Sequence, residues 1–375
     1  MKVAFLTGSL NPGHDGVGDY TQALASACTK LGHTTWCGSV SDNALTEPAI
    51  SKHLARYPHA LHRKSEFTSL IEELKRLHPD WLSLQYVPYS FHPRGFVTPL
   101  AKVIQQLAPQ AKLHIMFHEV WIGPHKEASL KEKITGYYQR YLLKKMLAKR
   151  RPHVAHTHAS PYMHLLRDIG IEAKTLPLFS SISIAEGGSR SWVIQKLKNL
   201  GIKVNTSSTW LIGIFGSLYS EWNAEPLLHY LTQACKAAKR ESVIISFGNL
   251  GAGEHAWDLL THKAKSPIRT ARIGMLEAED VSKLLQGLDF GIAAPPWSLI
   301  EKGSTVAAML DHGLPVIVNR DDIHFNFPCP EPTHPFLIKM DSNLPQAMLK
   351  AHKKPPQESV HTIAQKFLND LKSIS

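Results

Sequence analysis

Three stretches of the chain hold residue types able to grip a phosphate or move a proton. In the second half, Glu301-Lys302-Gly303-Ser304-Thr305 follows an apolar run and Pro295-Pro296, and precedes an apolar stretch that ends at Gly313. That order reads as a strand, a polar loop and a short helix with Ser304 as its N-cap and Gly313 as its stop. The bare amides and positive dipole end of such a helix attract a phosphate. Lys302 adds a full charge, and the Ser304 and Thr305 hydroxyls add donors. The competing reading is an ordinary capped helix with no ligand.

Near the amino terminus, Gly13-His14-Asp15-Gly16-Val17-Gly18-Asp19-Tyr20 follows the first apolar run. Glycine at 16 and 18 lets backbone approach a ligand closely. The order is not G-x-G-x-x-G, so a dinucleotide fingerprint is unsupported, and a tight turn without a ligand competes. The third stretch is Phe117-His118-Glu119, at the end of an apolar run over 113–117. A histidine at a strand's carboxyl end is placed to hydrogen-bond a sugar hydroxyl or to shuttle a proton. Among 22 histidines, however, a lone one is commonly structural. A fourth feature is the basic segment over 140–151, with Arg140, Lys144, Lys145, Lys149, Arg150 and Arg151 beside Tyr137, Tyr138 and Tyr141. It reads either as a membrane-surface helix or, preferably, as a packed crossover helix with a solvated basic face.

The elements that must position these residues alternate between short apolar runs and amphipathic stretches, the mark of βαβ units and parallel sheets. In the first half the spacing predicts strands over 1–8, 34–37, 81–86, 113–117, 153–156 and 173–176. Helices are expected over 17–31, 65–77, 97–107, 130–149 and 161–169. The pattern restarts with strands over 210–215, 242–247, 269–273, 290–293 and 315–318, with Gly216 opening the turn after the first of them. At 375 residues the chain is long enough for two cores. The expected organisation is an α/β fold with two doubly wound Rossmann-like domains facing a central cleft. The first spans 1–180, a linker 181–206 begins Ser- and Gly-rich and carries an expected helix over 192–200, the second spans 207–355, and a helix over 356–375 is free to pack back on the first. Parallel sheets bind ligands at the carboxyl ends of their strands, where the three stretches fall.

A net charge of +11 favours phosphate-bearing partners without choosing among them. No basic-aromatic module is visible, which ranks nucleic acid last. Four widely separated cysteines give no metal-ligand spacing and suit a reducing, cytoplasmic setting. No apolar run reaches the length of a membrane span.

Taken together these residues resemble the retaining GT-B glycosyltransferases of family four, the "group 1" enzymes. The likeness runs in order through Gly16-Val17-Gly18-Asp19-Tyr20, Pro79-Asp80 ahead of Leu84-Gln85-Tyr86, and Phe117-His118-Glu119. It continues through Gly274 with Leu276, Leu284-Leu285 and Asp289, to Gly313-Leu314-Pro315-Val316-Ile317. The resemblance implies that Gly16 and Gly18 lie against the donor phosphates and acceptor, and that His118 contacts the transferred sugar. It also implies that Gly274, Met275 and Leu276 hold the nucleobase, and that Gly303, Ser304 and Thr305 bind the diphosphate. The chain departs from the family in two places. Of two glutamates seven residues apart, Glu301 is one place out of register and Ala308 replaces the second. The Arg and Lys expected after the first strand of the second domain are missing from Gly216-Ser217-Leu218-Tyr219-Ser220-Glu221-Trp222-Asn223, a gap Lys302 could fill.

The expected activity is therefore transfer of a sugar from a nucleoside diphosphate sugar to a carbohydrate or lipid-linked acceptor hydroxyl, with retention. No metal or cofactor is expected, because amides, hydroxyls and Lys302 would stabilise the leaving diphosphate. His118, Glu301 and Lys302 are the candidate catalytic residues. The expected location is cytoplasmic, with peripheral contact to the inner face of the membrane through the 140–151 segment. A catalytically inactive nucleotide-sugar-binding scaffold and a sugar-nucleotide epimerase or hydrolase are the alternatives.

Overall fold

Strands buried on both faces must be apolar almost throughout, and the first run obeys this, with Val3, Ala4, Phe5 and Leu6 fully inaccessible. The computed structural model describes residues 1–374 and contains two units. Unit 1 comprises Met1–Pro177, Phe325–Pro328 and the chain from Val360 onward; unit 2 comprises Leu178–His324 and Cys329–Ser359.

Unit 1 is built on an eight-stranded sheet. Its strands are β1 (Lys2–Thr7), β2 (Thr34–Ser39), β3 (Ala49–Ile50), β4 (Leu54–Arg56), β5 (Trp81–Tyr86), β6 (Lys112–Phe117), β7 (Val154–Thr157) and β8 (Lys174–Thr175). They lie in the order β3-β4-β2-β1-β5-β6-β7-β8, all parallel except β3 against β4. The order reverses between β1 and β5. A carboxy-terminal helix, Val360–Lys372, buries Ile363, Ala364, Phe367, Leu368 and Leu371 within this unit. Its Phe367 ring lies 5.8 Å from that of Phe5 on β1.

Unit 2 repeats the plan with six strands: β9 (Thr209–Phe215), β10 (Glu241–Phe247), β11 (Ile268–Gly274), β12 (Phe290–Ala293), β13 (Val316–Val318) and β14 (Leu337–Lys339). Their order is β11-β10-β9-β12-β13-β14, all parallel. Period-2 alternation sends Ile212 and Ile214 into one core layer and Leu211 into the other, beside Val243 and Ile245. The strand order reverses between β9 and β12, so the crevice for a ligand is expected outside their carboxyl ends.

One expectation about local structure is met and another changes. The helix expected over 192–200 is present as Arg190–Asn199, with Val193 and Leu197 fully buried in unit 2 beside Leu284 and Leu285. Apolar residues four apart on one helical face find a partner there. The helix expected over 97–107 is only Thr98–Val103. Ala108 has a left-handed φ of 42°, and the Arg150 guanidinium takes the carbonyls of Ile104, Leu107, Ala108 and Ala111 that further helix would need. Among the described residues no helix is long and apolar enough to cross a membrane.

Candidate functional site

The candidate residues 301–305 of unit 2 follow β12, at the side of the sheet where the strand order reverses between β9 and β12. β9 ends at Phe215, and Gly216 turns the chain with a φ of 76° that favours glycine. Its N–H donates to Phe247 O on β10 (2.9 Å), and Gly248 N–H donates to Gly274 O at the end of β11 (2.8 Å). A Cβ on Gly216 would stand 3.1 Å from the Thr305 methyl carbon, so the β9 turn lies directly on the start of the Ser304–Asp311 helix. Met275 follows Gly274 and is 74% exposed, and Leu276 is half-buried. Glu301 and Lys302 end a short 3-10 segment, Trp297–Lys302, and both are half-buried.

The helix start differs from the expected one. Gly303, not Ser304, is the N-cap, and no side chain caps the first turn. Ser304 is the first helical residue and is exposed, while Thr305 is half-buried. The early amides of this helix thus lack a carboxylate or hydroxyl of their own chain at the cap position, as an anion site requires. At both places where the chain departs from the resembled pattern, apolar side chains are packed into the core. Ala308 is 2% exposed inside the core layer with Val306 and Met309, where a carboxylate would be buried. In the turn after β9, Leu218 and Trp222 enter the other core layer at 2% and 3% exposure. A cation that sequence reasoning passed over is Arg320, just after β13. Its guanidinium lies 5.0 Å from the Tyr219 ring and pairs with Asp322 at 2.6 Å.

The amino-terminal glycines are placed differently. The first helix runs Gly16–Lys30, and its N-cap Asp15 accepts from Val17 N–H (3.0 Å) and Gly18 N–H (2.8 Å). A carboxylate of the chain already occupies these amides. Burial raises the Asp15 pKa against those two hydrogen bonds. A Cβ on Gly18 would lie 2.7 Å from Ser9 O, so this glycine is demanded by close backbone packing. Gly16 has open space at the same position. Tyr20, one turn on, brings its ring edge-on to His118 at 4.9 Å and to His158 at 5.2 Å.

His118 follows β6 and is 8% exposed. Both its ring nitrogens already meet protein groups: Nε2 lies 3.0 Å from Gln85 Oε1 and Nδ1 lies 3.1 Å from His158 Nε2. It therefore belongs to a buried polar row that single-residue reasoning missed. The row continues from Gln85 Nε2–H to Ser83 Oγ (2.8 Å), from Ser83 Oγ to His114 Nδ1 (2.8 Å) and from His114 Nε2 to His156 Nδ1 (3.0 Å). It ends at Asp370 Oδ2 on the carboxy-terminal helix, 3.1 Å from His156 Nε2. The parallel register aligns Ser83 with His114 and Met116 with His156, and side chains two apart share a face. The signal in the sequence was polar residues at even spacing inside apolar strands: Ser83 and Gln85, His114 and His118, His156 and His158.

Burial drives His114 and His118 well below the ordinary imidazole range. It pushes His156 and His158 down to about 4, against the Asp370 carboxylate in one case and the Leu176 carbonyl in the other. Asp370, despite its own burial, is held down to about 2 by Lys174, His156 and Lys366.

The basic segment divides. Arg150 is consumed by four backbone carbonyls, and Arg151 donates to Gly170 O. Arg140 reaches Asp168 O at 3.4 Å. On the same Leu130–Lys149 helix, Leu130, Ile134, Tyr137 and Tyr141 are exposed at spacings of four, three and four residues, so they share one face. Lys133, Lys144 and Lys145 are exposed on the same helix.

No protein-family model and no curated protein matches the sequence. Solved structures do match over the whole chain. HepE (Alr3699) from Anabaena, in complex with UDP, superposes with a TM-score of 0.58 at 14% identity, covering 100% of both chains. The catalytic domain of starch synthase IV from Arabidopsis thaliana, bound to ADP and acarbose, gives 0.58 at 12% identity, covering 100% of this chain and 99% of that one. UDP-GlcNAc 2-epimerase from Methanocaldococcus jannaschii gives 0.52 at 10% identity, covering 100% of both chains. The two parallel-sheet Rossmann-like domains of this chain are those of the GT-B fold.

Proposed function

We propose that the protein is a glycosyltransferase that moves a sugar from a nucleoside diphosphate sugar to an acceptor hydroxyl with retention of configuration and without a metal. The observation that carries this reading is the Ser304 helix. It begins on an uncapped glycine at the strand-order reversal of unit 2, against the Gly216 turn. Diphosphate oxygens would accept from the amides of its first turn, with Gly303, Ser304 and Thr305 as the lining. Lys302 would offset the charge that develops on the leaving diphosphate, the step that most needs help. Gly274, Met275 and Leu276 would hold the base at the end of β11. His118, Gly16 and Gly18 of unit 1 and Glu301 of unit 2 are the other residues assigned to the sugar and the acceptor in this reading. The acceptor is a carbohydrate or a lipid-linked saccharide in this reading. The exposed Leu130-Ile134-Tyr137-Tyr141 face, rimmed with lysine, fits an anionic membrane surface on the cytoplasmic side.

The test is incubation with UDP-, GDP- and ADP-sugars, following saturable binding and nucleotide release, with EDTA present and absent. Product NMR then reads the anomeric configuration. Failure to bind any of them would end the proposal. The likeness to an epimerase favours a second reading, in which sugar nucleotide is isomerised without an acceptor, and product analysis separates the two. Binding without turnover would instead point to an inactive scaffold, consistent with Ala308 and the Leu218–Trp222 packing.

A further inference from the structure

The polar row of unit 1 has more hydrogen bonds than its neutral groups have protons. From Leu176 O through His158, His118, Gln85, Ser83, His114 and His156 to Asp370 there are seven links of 2.8–3.1 Å. Each needs one proton. Four neutral imidazoles supply one apiece, Ser83 one, and the Gln85 amide one toward the row, which makes six. Both ends are acceptors: a carbonyl at Leu176 and a carboxylate at Asp370. Turning the Gln85 amide over reverses part of the row but leaves the count unchanged.

We infer that this row binds one proton from solvent, that the orientation of the Gln85 amide decides which histidine pair carries it, and that Gln85 and Asp370 thereby position His118. With the amide oxygen toward His118, the links from Gln85 to Asp370 are complete with neutral groups. The extra proton then lies between His118 and His158, as an imidazolium pair. With the amide nitrogen toward His118, that ring is neutral, carries its proton on Nδ1 and donates to His158, which donates to Leu176 O. The extra proton then lies between His114 and His156. Asp370 stands 3.1 Å from His156, so its carboxylate draws the charge to that pair. Lys174 and Lys366 face Asp370 from β8 and from the carboxy-terminal helix and oppose the charge. The Tyr20 and Phe367 rings line the two ends with apolar surface. Desolvation of each ring also opposes the charge. Without the proton, two acceptors must face each other at about 3 Å at one link of the buried row, which leaves both unsatisfied.

The proton site stands on the row alone; its bearing on catalysis rests on the role proposed for His118. The full chain, labelled with ¹⁵N-histidine and free of ligand, is titrated by NMR from about pH 8 to about pH 5. A neutral ring shows one pyridine-type nitrogen and an imidazolium shows none. One imidazolium equivalent should appear among the four rings in a single step. Asp370→Asn supplies an amide N–H to His156 and completes the count, so the charged ring should vanish. Ser83→Ala removes two links and one donor, leaving five links and five protons, with the same loss. Asp370→Glu should restore the charge. Four neutral rings throughout in the native protein, two or more charging independently, or unchanged spectra in either of the first two variants would overturn the inference. Nucleotide-sugar binding is measured separately, so failure here and failure of the glycosyltransferase reading are distinct results.

Discussion

Replacing Ser304 with aspartate tests the diphosphate grip through two effects of opposite sign. Ser304 is the first residue of its helix and is exposed, so a carboxylate there meets no packing conflict. A negative charge in the first turn stabilises a helix by about 0.3–1 kcal/mol. The same charge would stand beside a bound diphosphate. Two unit charges about 4 Å apart interact by about 4 kcal/mol at an effective dielectric of about 20. Screening at an exposed position reduces this to roughly 2–3 kcal/mol, a loss of about 30- to 150-fold in affinity. The expected result is a urea midpoint that rises slightly while UDP, GDP or ADP binding by calorimetry weakens by that factor. Ser304→Asn is the neutral control and should lose little of either. Equal nucleotide affinity in Ser304→Asp and the native protein would refute the placement of the anion at this helix start. In unit 1 a carboxylate already stands at a helix start, that of Asp15, one position earlier at the N-cap.

Asp15→Ala should cost about 1 kcal/mol in urea unfolding, because Val17 and Gly18 lose their cap. Arg150→Met should cost about 3 kcal/mol, since four carbonyls lose a charged donor. A loss below about 1 kcal/mol would return Arg150 to the surface basic patch. Stability should fall as pH drops from about 6.5 toward 4: the unfolded chain protonates all four row histidines near about 6.5, while the folded row holds them lower and takes up one. A flat urea midpoint across that window would contradict this. Tyr137→Ser with Ile134→Ser should reduce sedimentation with phosphatidylserine-containing vesicles several-fold while leaving nucleotide binding intact.

Much of the architecture was legible because strand and helix periods write themselves into the order of apolar residues. β5 lies over Trp81–Tyr86 as the spacing predicts, β12 over Phe290–Ala293, and the Leu130–Lys149 helix begins and ends where expected. Gly216 reads as a turn from sequence and has the left-handed backbone that makes it one. Local order was less informative where a distant group intervenes. Arg150 takes the Ala108 carbonyl, 42 residues away, where the helix expected to reach 107 stops at Val103. The Ser304 cap was misplaced by one residue because both Gly303 and Ser304 can occupy that position, and only the backbone angles separate them.

By itself, then, the order of residues determined the parallel sheets, the glycine turns and the chemistry available at the strand ends, since these follow from periodicity and from what each side chain can do. Tertiary structure decided which groups are already spoken for. Whether Asp15 fills one helix start while Gly303 leaves another bare depends on caps set by backbone geometry. That His118 spends both nitrogens inside a row reaching to Asp370 depends on register between strands more than 30 residues apart and on a helix from the far end of the chain. Such pairings are long-range, and no local pattern encodes them.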